Sequence, residues 1–111
     1  MAHLERIMYV ELKDGGDSGP AWIGRVRFSK TGRTLSYRGH TLQRARCIAG
    51  GNHVDQATGE EYWVSGVKKD GTDRHWAGSG PVEIDPDVLD EYLTLVSPAV
   101  RARILRAQRS R

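Results

Sequence analysis

Two stretches of period-two alternation flank a short turn early in the chain, and they constrain the fold more than any other feature. In the first stretch, 21–29, apolar residues or glycine occupy every second position, and Arg25 and Arg27 lie between them. The second stretch, 34–38, alternates again, and Gly32 in the turn can adopt a positive φ. Such alternation is typical of strands that bury one face, so we predict a β-hairpin with its arginines pointing outward.

Further strands and two helices are predicted from the same kind of pattern. The additional predicted strands cover 8–12, 41–48, 61–68 and 74–76. The dipeptides Asp85-Pro86 and Ser97-Pro98 each combine an N-cap residue with proline at the first helical position. We therefore predict a small α+β protein, with a twisted antiparallel β-sheet or SH3-like barrel of five or six strands and one or two C-terminal helices.

The length of 111 residues suits one domain. Residues 1–96 are predicted to form a single β-rich domain, in which the acidic helix 86–96 caps an open end of the barrel. Residues 97–111 contain five arginines and no acid, and we predict an arginine-rich helical extension there.

The cellular compartment is predicted from three features that the sequence does not show: a pair of cysteines, a signal peptide and a membrane span. Cys47 is the single cysteine, which excludes an intramolecular disulfide and favours a reducing environment. The first residues do not resemble a signal peptide, and no apolar run approaches the length of a membrane span. We expect a cytoplasmic protein.

The charges are strongly segregated along the chain. Between Asp17 and Asp55 there is no carboxylate, but there are seven cations: Arg25, Arg27, Lys30, Arg33, Arg38, Arg44 and Arg46. The stretch 55–96 has the opposite sign, with ten acids against three cations, so the net charge of +3 hides a large internal separation. A stretch of one sign attracts polyanions and acidic surfaces.

Several motifs occur in an order that is similar to a known group of proteins. They are IGRVRFSKTGRTL at 23–35, YRG at 37–39, TGEEYWVSG at 58–66, KKDG at 68–71 and VEID at 82–85. Together they resemble a widespread family of small uncharacterised bacterial proteins, which are sometimes labelled deoxyxylulose-phosphate synthase. This chain is far too short for such a thiamine-diphosphate enzyme, and the resemblance implies no catalytic residues. The stretch 42–53 and the end 97–111 depart from the family pattern.

The hairpin provides the first candidate binding surface. Its residues are Arg25, Arg27, Lys30, Arg33, Tyr37 and Arg38. Cations in this arrangement can contact the phosphates of RNA or single-stranded DNA, and Tyr37 can stack on a base if its ring faces outward. Alternatively, the arginines are ordinary solvent-facing residues, Tyr37 joins the core beside Leu35, and acids of 83–91 fold against the hairpin.

A second candidate recognition surface surrounds the predicted strands 61–68 and 74–76. Its residues are Lys68, Lys69, Arg74, His75 and Trp76. Aromatic side chains among charged ones are typical of recognition surfaces. Alternatively, Trp63 and Trp76 belong to the core, and the two lysines form a solvated turn.

Metal, cofactor and catalytic chemistry have little support in the residue pattern. Four residues could in principle form a zinc site, namely His40, Cys47, His53 and His75, but they lack the paired spacings of such sites. Cys47 with a histidine, or Ser65 with His75 and Asp73, could act as nucleophile and base, but no nucleophile elbow or phosphate loop accompanies them. We expect no metal, no cofactor and no catalytic residues, and an enzyme is the third hypothesis.

The pattern favours a small non-enzymatic module that binds nucleic acid, as RNA or single-stranded DNA, through the basic hairpin. The alternative is protein–protein interaction, with an acidic partner or a second copy of the chain, because 18–54 and 55–96 have opposite charges. The helix 98–109 could contact nucleic acid or dock on the domain, and its narrow apolar stripe argues against a membrane partner. The position of Arg25, Arg27 and Arg33 relative to the carboxylates of 83–91 discriminates between an open and a neutralised surface.

Overall fold

The structure is a computed structural model, and it describes residues 4–13, 19–71 and 82–109. The strands within these ranges are β1 (Leu4–Leu12), β2 (Ala21–Phe28), β3 (Thr34–Tyr37), β4 (His40–Arg44), β5 (His53–Asp55), β6 (Glu61–Gly66) and β7 (Val82–Ile84). A 3-10 turn (Pro86–Val88) leads into helix α1 (Leu89–Leu95), and helix α2 (Pro98–Arg109) follows.

The first six strands form a closed up-and-down barrel. Each strand from β1 to β6 pairs antiparallel with the next, and β6 pairs antiparallel with β1 to close the ring. β7 is added outside this order and runs parallel to the beginning of β2. The predicted fold class, a small α+β barrel followed by two helices, is confirmed.

Several strand bounds differ from the predictions, and β7 was not predicted as a strand. β1 begins at Leu4 rather than residue 8, because its first half pairs with the end of β2. β4 ends at Arg44, and β5 was not predicted, because only three residues form it and its two buried residues, His53 and Asp55, are polar. The predicted return strand 74–76 lies outside the described residues.

The barrel encloses one core and carries a second on its outer surface. The inner core contains Val10, Val26, Leu35, Tyr37, Leu42, Tyr62 and Val64. The outer core lies between the helices and the barrel wall and contains Tyr9, Ala21, Ile23, Val88, Tyr92, Val96 and Val100. Because successive strand residues point to opposite faces, β2 contributes Val26 to the inner core and Ile23 to the outer one.

The helices lie against the outer face of β1 and β2, whereas the sequence predicted a cap over an open end of the barrel. Val88 and Tyr92 are one helical turn apart, so both reach the outer core. Ser97 caps α2 as predicted, since its Oγ accepts a hydrogen bond from the Val100 N–H at 3.3 Å. Asp85 makes no such cap, and its carboxylate instead contacts the barrel.

A candidate nucleic-acid interface at one end of the barrel

The β2–β3 turn holds its two central cations in solvent. The Gly32 N–H donates to the Ser29 carbonyl at 2.9 Å, and Gly32 has a φ of 76°, which glycine adopts without strain. The Ser29 Oγ also accepts a hydrogen bond from the Thr34 N–H at 3.1 Å. These contacts define the turn, and Lys30 and Arg33 project from it as exposed side chains.

Two arginines of the predicted surface are already paired with carboxylates. Arg25 forms an ion pair with Glu91 of α1, and Arg38 contacts the Asp85 Oδ1 at 2.5 Å. The hydrogen bond to each carboxylate raises the pKa of the arginine above its ordinary value. The Arg38 guanidinium also lies 5.5 Å from the centre of the Trp22 ring. Both side chains therefore help to attach the C-terminal segment to the barrel, and their charges are largely neutralised.

Tyr37 belongs to the inner core and presents no ring face for stacking. Its side chain is 5% exposed, and its hydroxyl donates to the Asp85 Oδ2 at 2.7 Å. Burial and this hydrogen bond raise the pKa of the Tyr37 hydroxyl well above its ordinary value. A Cβ atom on Gly24 would lie 2.4 Å from both Tyr37 and Asp85, so a glycine is required where they meet. The conditional prediction of stacking on Tyr37 therefore does not hold.

Three of the predicted cations stay open to solvent. Arg27, Lys30 and Arg33 are exposed, and none of them forms an ion pair with another described residue. Arg27 lies on the outer wall of the barrel opposite Glu5 of β1 and Ser36 of β3. Lys30 and Arg33 lie in the turn, away from that wall.

Arg44 and Arg6 extend this open charge. The Arg44 N–H at the end of β4 donates to the Arg33 carbonyl at 2.8 Å, so Arg44 is a neighbour of Arg33, which directly precedes β3. Arg6 of β1 and Lys30 line the same groove. In an antiparallel meander alternate connections lie at the same end, so 29–33 and 45–52 share one end of the barrel. We call this the basic end, and its exposed cations include Arg6, Lys30, Arg33, Arg44 and Arg46.

At the opposite end three described cationic or histidine side chains lie beside carboxylates, and we call it the paired end. The contacts are Lys13 Nζ with Glu11 Oε2 at 2.9 Å, Arg38 with Asp85 at 2.5 Å, and His40 Nδ1 with Asp55 Oδ2 at 2.8 Å. The Ala57 N–H donates to the buried Asp55 carboxylate at 2.8 Å. That hydrogen bond and the His40 ring together lower the pKa of Asp55, although burial acts in the opposite direction.

A groove opens between the start of β1 and the β2–β3 turn. Its volume is about 440 Å³, and its lining includes Leu4, Arg6, Phe28 and Lys30. Phe28 is half-buried at the barrel end, and Leu4 is its Cα partner across the β1–β2 ladder. Phe28 belongs to the face of 21–29 that was predicted to be buried, and Arg6 was not among the predicted site residues. The pairing of β1 with the end of β2 brings them together, and no local pattern predicts that pairing.

The loop after β4 folds back onto Glu61. The Glu61 carboxylate accepts hydrogen bonds from the backbone N–H groups of Ile48, Ala49 and Gly51 at 3.1, 3.0 and 3.3 Å. Burial alone would raise the pKa of Glu61, but these N–H groups lower it below its ordinary value. The Ile48 side chain is left fully exposed at the tip of this loop.

Only part of the second predicted surface can be located. Lys68 and Lys69 are exposed in the turn after β6, and the Lys69 carbonyl accepts a hydrogen bond from the Ser97 N–H at 2.9 Å. Arg74, His75 and Trp76 lie outside the described residues. Trp63 points outward from β6 and is 38% exposed, so it is not a core residue.

The candidate nucleophile Cys47 lies in an unfavourable environment for a thiolate. Its Sγ donates to the carbonyls of Ala45 and His53, each at 3.6 Å. Burial and the nearby Glu61 carboxylate raise the pKa of the Cys47 thiol, whereas reactive cysteines have a lowered one. Among the described residues, no three or more His, Cys, Asp or Glu side chains group together as metal ligands.

No protein-family model, curated protein or solved structure matches this chain. The resemblance to small bacterial proteins therefore stays a prediction. Within the described part of the chain, no helix has both the length and the apolar character needed to cross a membrane.

Proposed function

We propose that this protein is a small non-enzymatic module that binds single-stranded nucleic acid, RNA or DNA, through its basic end. The observation that carries the proposal is the convergence of Lys30, Arg33 and Arg44, which are exposed and form no ion pair with another described residue. Exposed cations that are not paired with a carboxylate attract phosphates, and release of condensed counterions makes such binding favourable.

The spacing of these cations suits a chain of phosphates. Adjacent strands of a sheet lie about 4.8 Å apart, so Arg33 and Arg44 can contact neighbouring phosphates of one strand. Lys30, in the same turn as Arg33, extends this line of charge. The connections 29–33 and 45–52 contain no acid, because both come from the carboxylate-free stretch between Asp17 and Asp55.

Two finer points belong to the same proposal. The barrel is closed by six strands in simple up-and-down order, and its description as an SH3-like barrel stays a prediction. A cytoplasmic location fits a module that meets RNA or single-stranded DNA. The single thiol, Cys47, is compatible with that compartment.

A salt titration tests the proposal. Binding of a short fluorescein-labelled oligothymidylate and of an oligouridylate is followed by fluorescence anisotropy between roughly 50 and 200 mM salt. We expect affinity to fall steeply with salt. In the triple variant Lys30→Gln, Arg33→Gln, Arg44→Gln the slope of log affinity against log salt decreases by about 2, since each lost phosphate contact removes about 0.7 from the slope.

The control is the double variant Arg25→Gln, Glu91→Gln, which removes a cation together with its paired acid and leaves the net charge unchanged. It should keep the wild-type slope. Wild-type binding that is absent, or that does not weaken with salt, would reject the proposed function. Equal losses in the triple and control variants would place the site elsewhere on the molecule.

Protein–protein interaction is the second candidate, and one observation favours it. Ile48 is fully exposed, its N–H is bonded to Glu61, and Trp63 is the next outward-facing residue after Glu61 on β6. Exposed apolar side chains grouped in this way are typical of protein interfaces. Sedimentation equilibrium of the wild type and of the variant Ile48→Ser, Trp63→Ser tests for a second copy as the partner, since loss of a dimer in the variant would support this candidate.

A further inference from the structure

The groove at the basic end combines a flat aromatic side chain with flanking cations. Phe28 is half-buried there, and Arg6 and Lys30 lie on the same lining. None of the described lining residues is acidic. A volume of about 440 Å³ lies within the range of pockets that bind small organic groups.

We propose that this groove binds one unstacked base of a single-stranded nucleic acid, with the base against Phe28 and its flanking phosphates at Arg6 and Lys30. The inference rests on the proposed function and deepens it, because it assigns a base site beside the phosphate contacts of Arg33 and Arg44. The charge and the apolar lining of the groove together favour this occupant. A purely apolar ligand would leave both cations without a partner, and a bare phosphate would leave Phe28 and Leu4 uncovered.

The proposed site also explains a preference for single strands. In a duplex each base is stacked and paired, so placing one against Phe28 requires that both interactions be broken. A single strand can turn a base into the groove at little cost. Phe28 packs against the inner core, and its backbone is held by the β1–β2 ladder, so the side chain is positioned before the ligand arrives.

The test compares two ligands with the same number of phosphates. One is a labelled oligothymidylate, and the other is the same strand with abasic sites in place of the bases. We expect the wild-type protein to bind the base-bearing strand on the order of tenfold more tightly, because stacking of one base on an aromatic side chain contributes that much. The Phe28→Leu variant should lose this preference and keep the wild-type salt dependence.

The matched control is Trp63→Leu, which removes an exposed aromatic side chain on β6, away from the groove. It should retain the preference for bases. Equal binding of the two strands by the wild type, with normal salt dependence, would overturn the base site while leaving the proposed function intact. A preference retained in Phe28→Leu would also overturn it. Absence of binding to both strands would instead reject the proposed function. The wild-type comparison decides the question even if Phe28→Leu does not fold.

Discussion

The two ends of the barrel differ in whether their cations lie beside carboxylates. At the paired end Lys13, Arg38 and His40 each lie beside a carboxylate. At the basic end Arg33 and Arg44 are exposed neighbours with no acid partner among the described residues. The two connections at the basic end, 29–33 and 45–52, contain no acid, whereas the acids of the paired end come from β1, β5 and the residue after β7. A run of cations in a sequence becomes available charge only where the fold keeps carboxylates away from it.

The largest effect on stability is expected at Gly24, where the side chains of the paired end pack most tightly. In Gly24→Ala the new Cβ would lie 2.4 Å from Asp85 Oδ2 and from the Tyr37 ring, both of which are buried and hydrogen-bonded. We expect the free energy of unfolding to fall by about 2–3 kcal/mol, as overpacking of a core does. Urea denaturation measures it.

The control for Gly24→Ala is Gly66→Ala, also in a strand of the barrel. A Cβ there would meet no atom within 4 Å, so stability should change by less than about 0.5 kcal/mol. If the two variants are equally stable, Tyr37 and Asp85 are not held together as described.

The next largest effect is expected on oligonucleotide binding, where substitutions of one arginine from each end should give different results. Arg33→Gln should lower the salt slope of oligonucleotide binding by about 0.7, and affinity near 0.1 M salt should fall roughly fivefold. Arg38→Gln should leave the slope unchanged, because the charge of Arg38 is already opposed by Asp85. An equal change of slope in both variants would show that pairing does not remove a cation from the binding surface.

A smaller effect on stability is expected for Asp55 at the paired end, and the size of this effect should depend on pH. The pKa of Asp55 is lowered in the folded protein, so its contribution to stability is complete above its ordinary pKa near 3.8 and is lost as pH falls through the lower folded value. Asp55→Asn should therefore destabilise the protein at neutral pH, and its difference from the wild type should narrow in acid. Urea denaturation at a series of pH values measures this, and a constant difference would contradict it.

The smallest expected effect is a change in the pKa of the buried His53 when Arg44 is substituted. Burial lowers the pKa of His53, and the positive charge of Arg44, its Cα partner on β4, lowers it further. In Arg44→Gln the pKa of His53 should rise towards its ordinary value, which an NMR titration of the ring protons detects. Lys30→Gln removes a cation from the same end and should leave the His53 titration unaltered. A pKa unchanged in Arg44→Gln would mean that Arg44 points away from the barrel.

Local pattern predicted much of the fold. The alternation of 21–29 and 34–38 predicted the hairpin, and Ser97 with Pro98 predicted the start of α2. Strand β5 was missed because its buried residues, His53 and Asp55, are polar and satisfy their polar groups with Asn52, His40 and Ala57.

The candidate site was harder to predict, because partners distant in the chain decide it. Arg25 and Glu91 are 66 residues apart, and Arg38 and Asp85 are 47 apart. The alternation predicts that an arginine faces outward, but it does not predict which carboxylate pairs with that arginine. Acids of 83–91 neutralise only part of the hairpin. Arg25 and Arg38 are paired with Glu91 and Asp85, whereas Arg27 and Arg33 form no ion pair with another described residue.

β2 shares its second edge between two strands, with β3 at one half and β7 at the other. A chain ending before Val82 would leave the backbone N–H and C=O groups of Ala21–Ile23 unpaired along that edge. Such an exposed edge is a template on which other molecules add strands. β7 covers this part of the edge, and we expect a barrel prepared without its C-terminal segment to self-associate more readily than the whole chain.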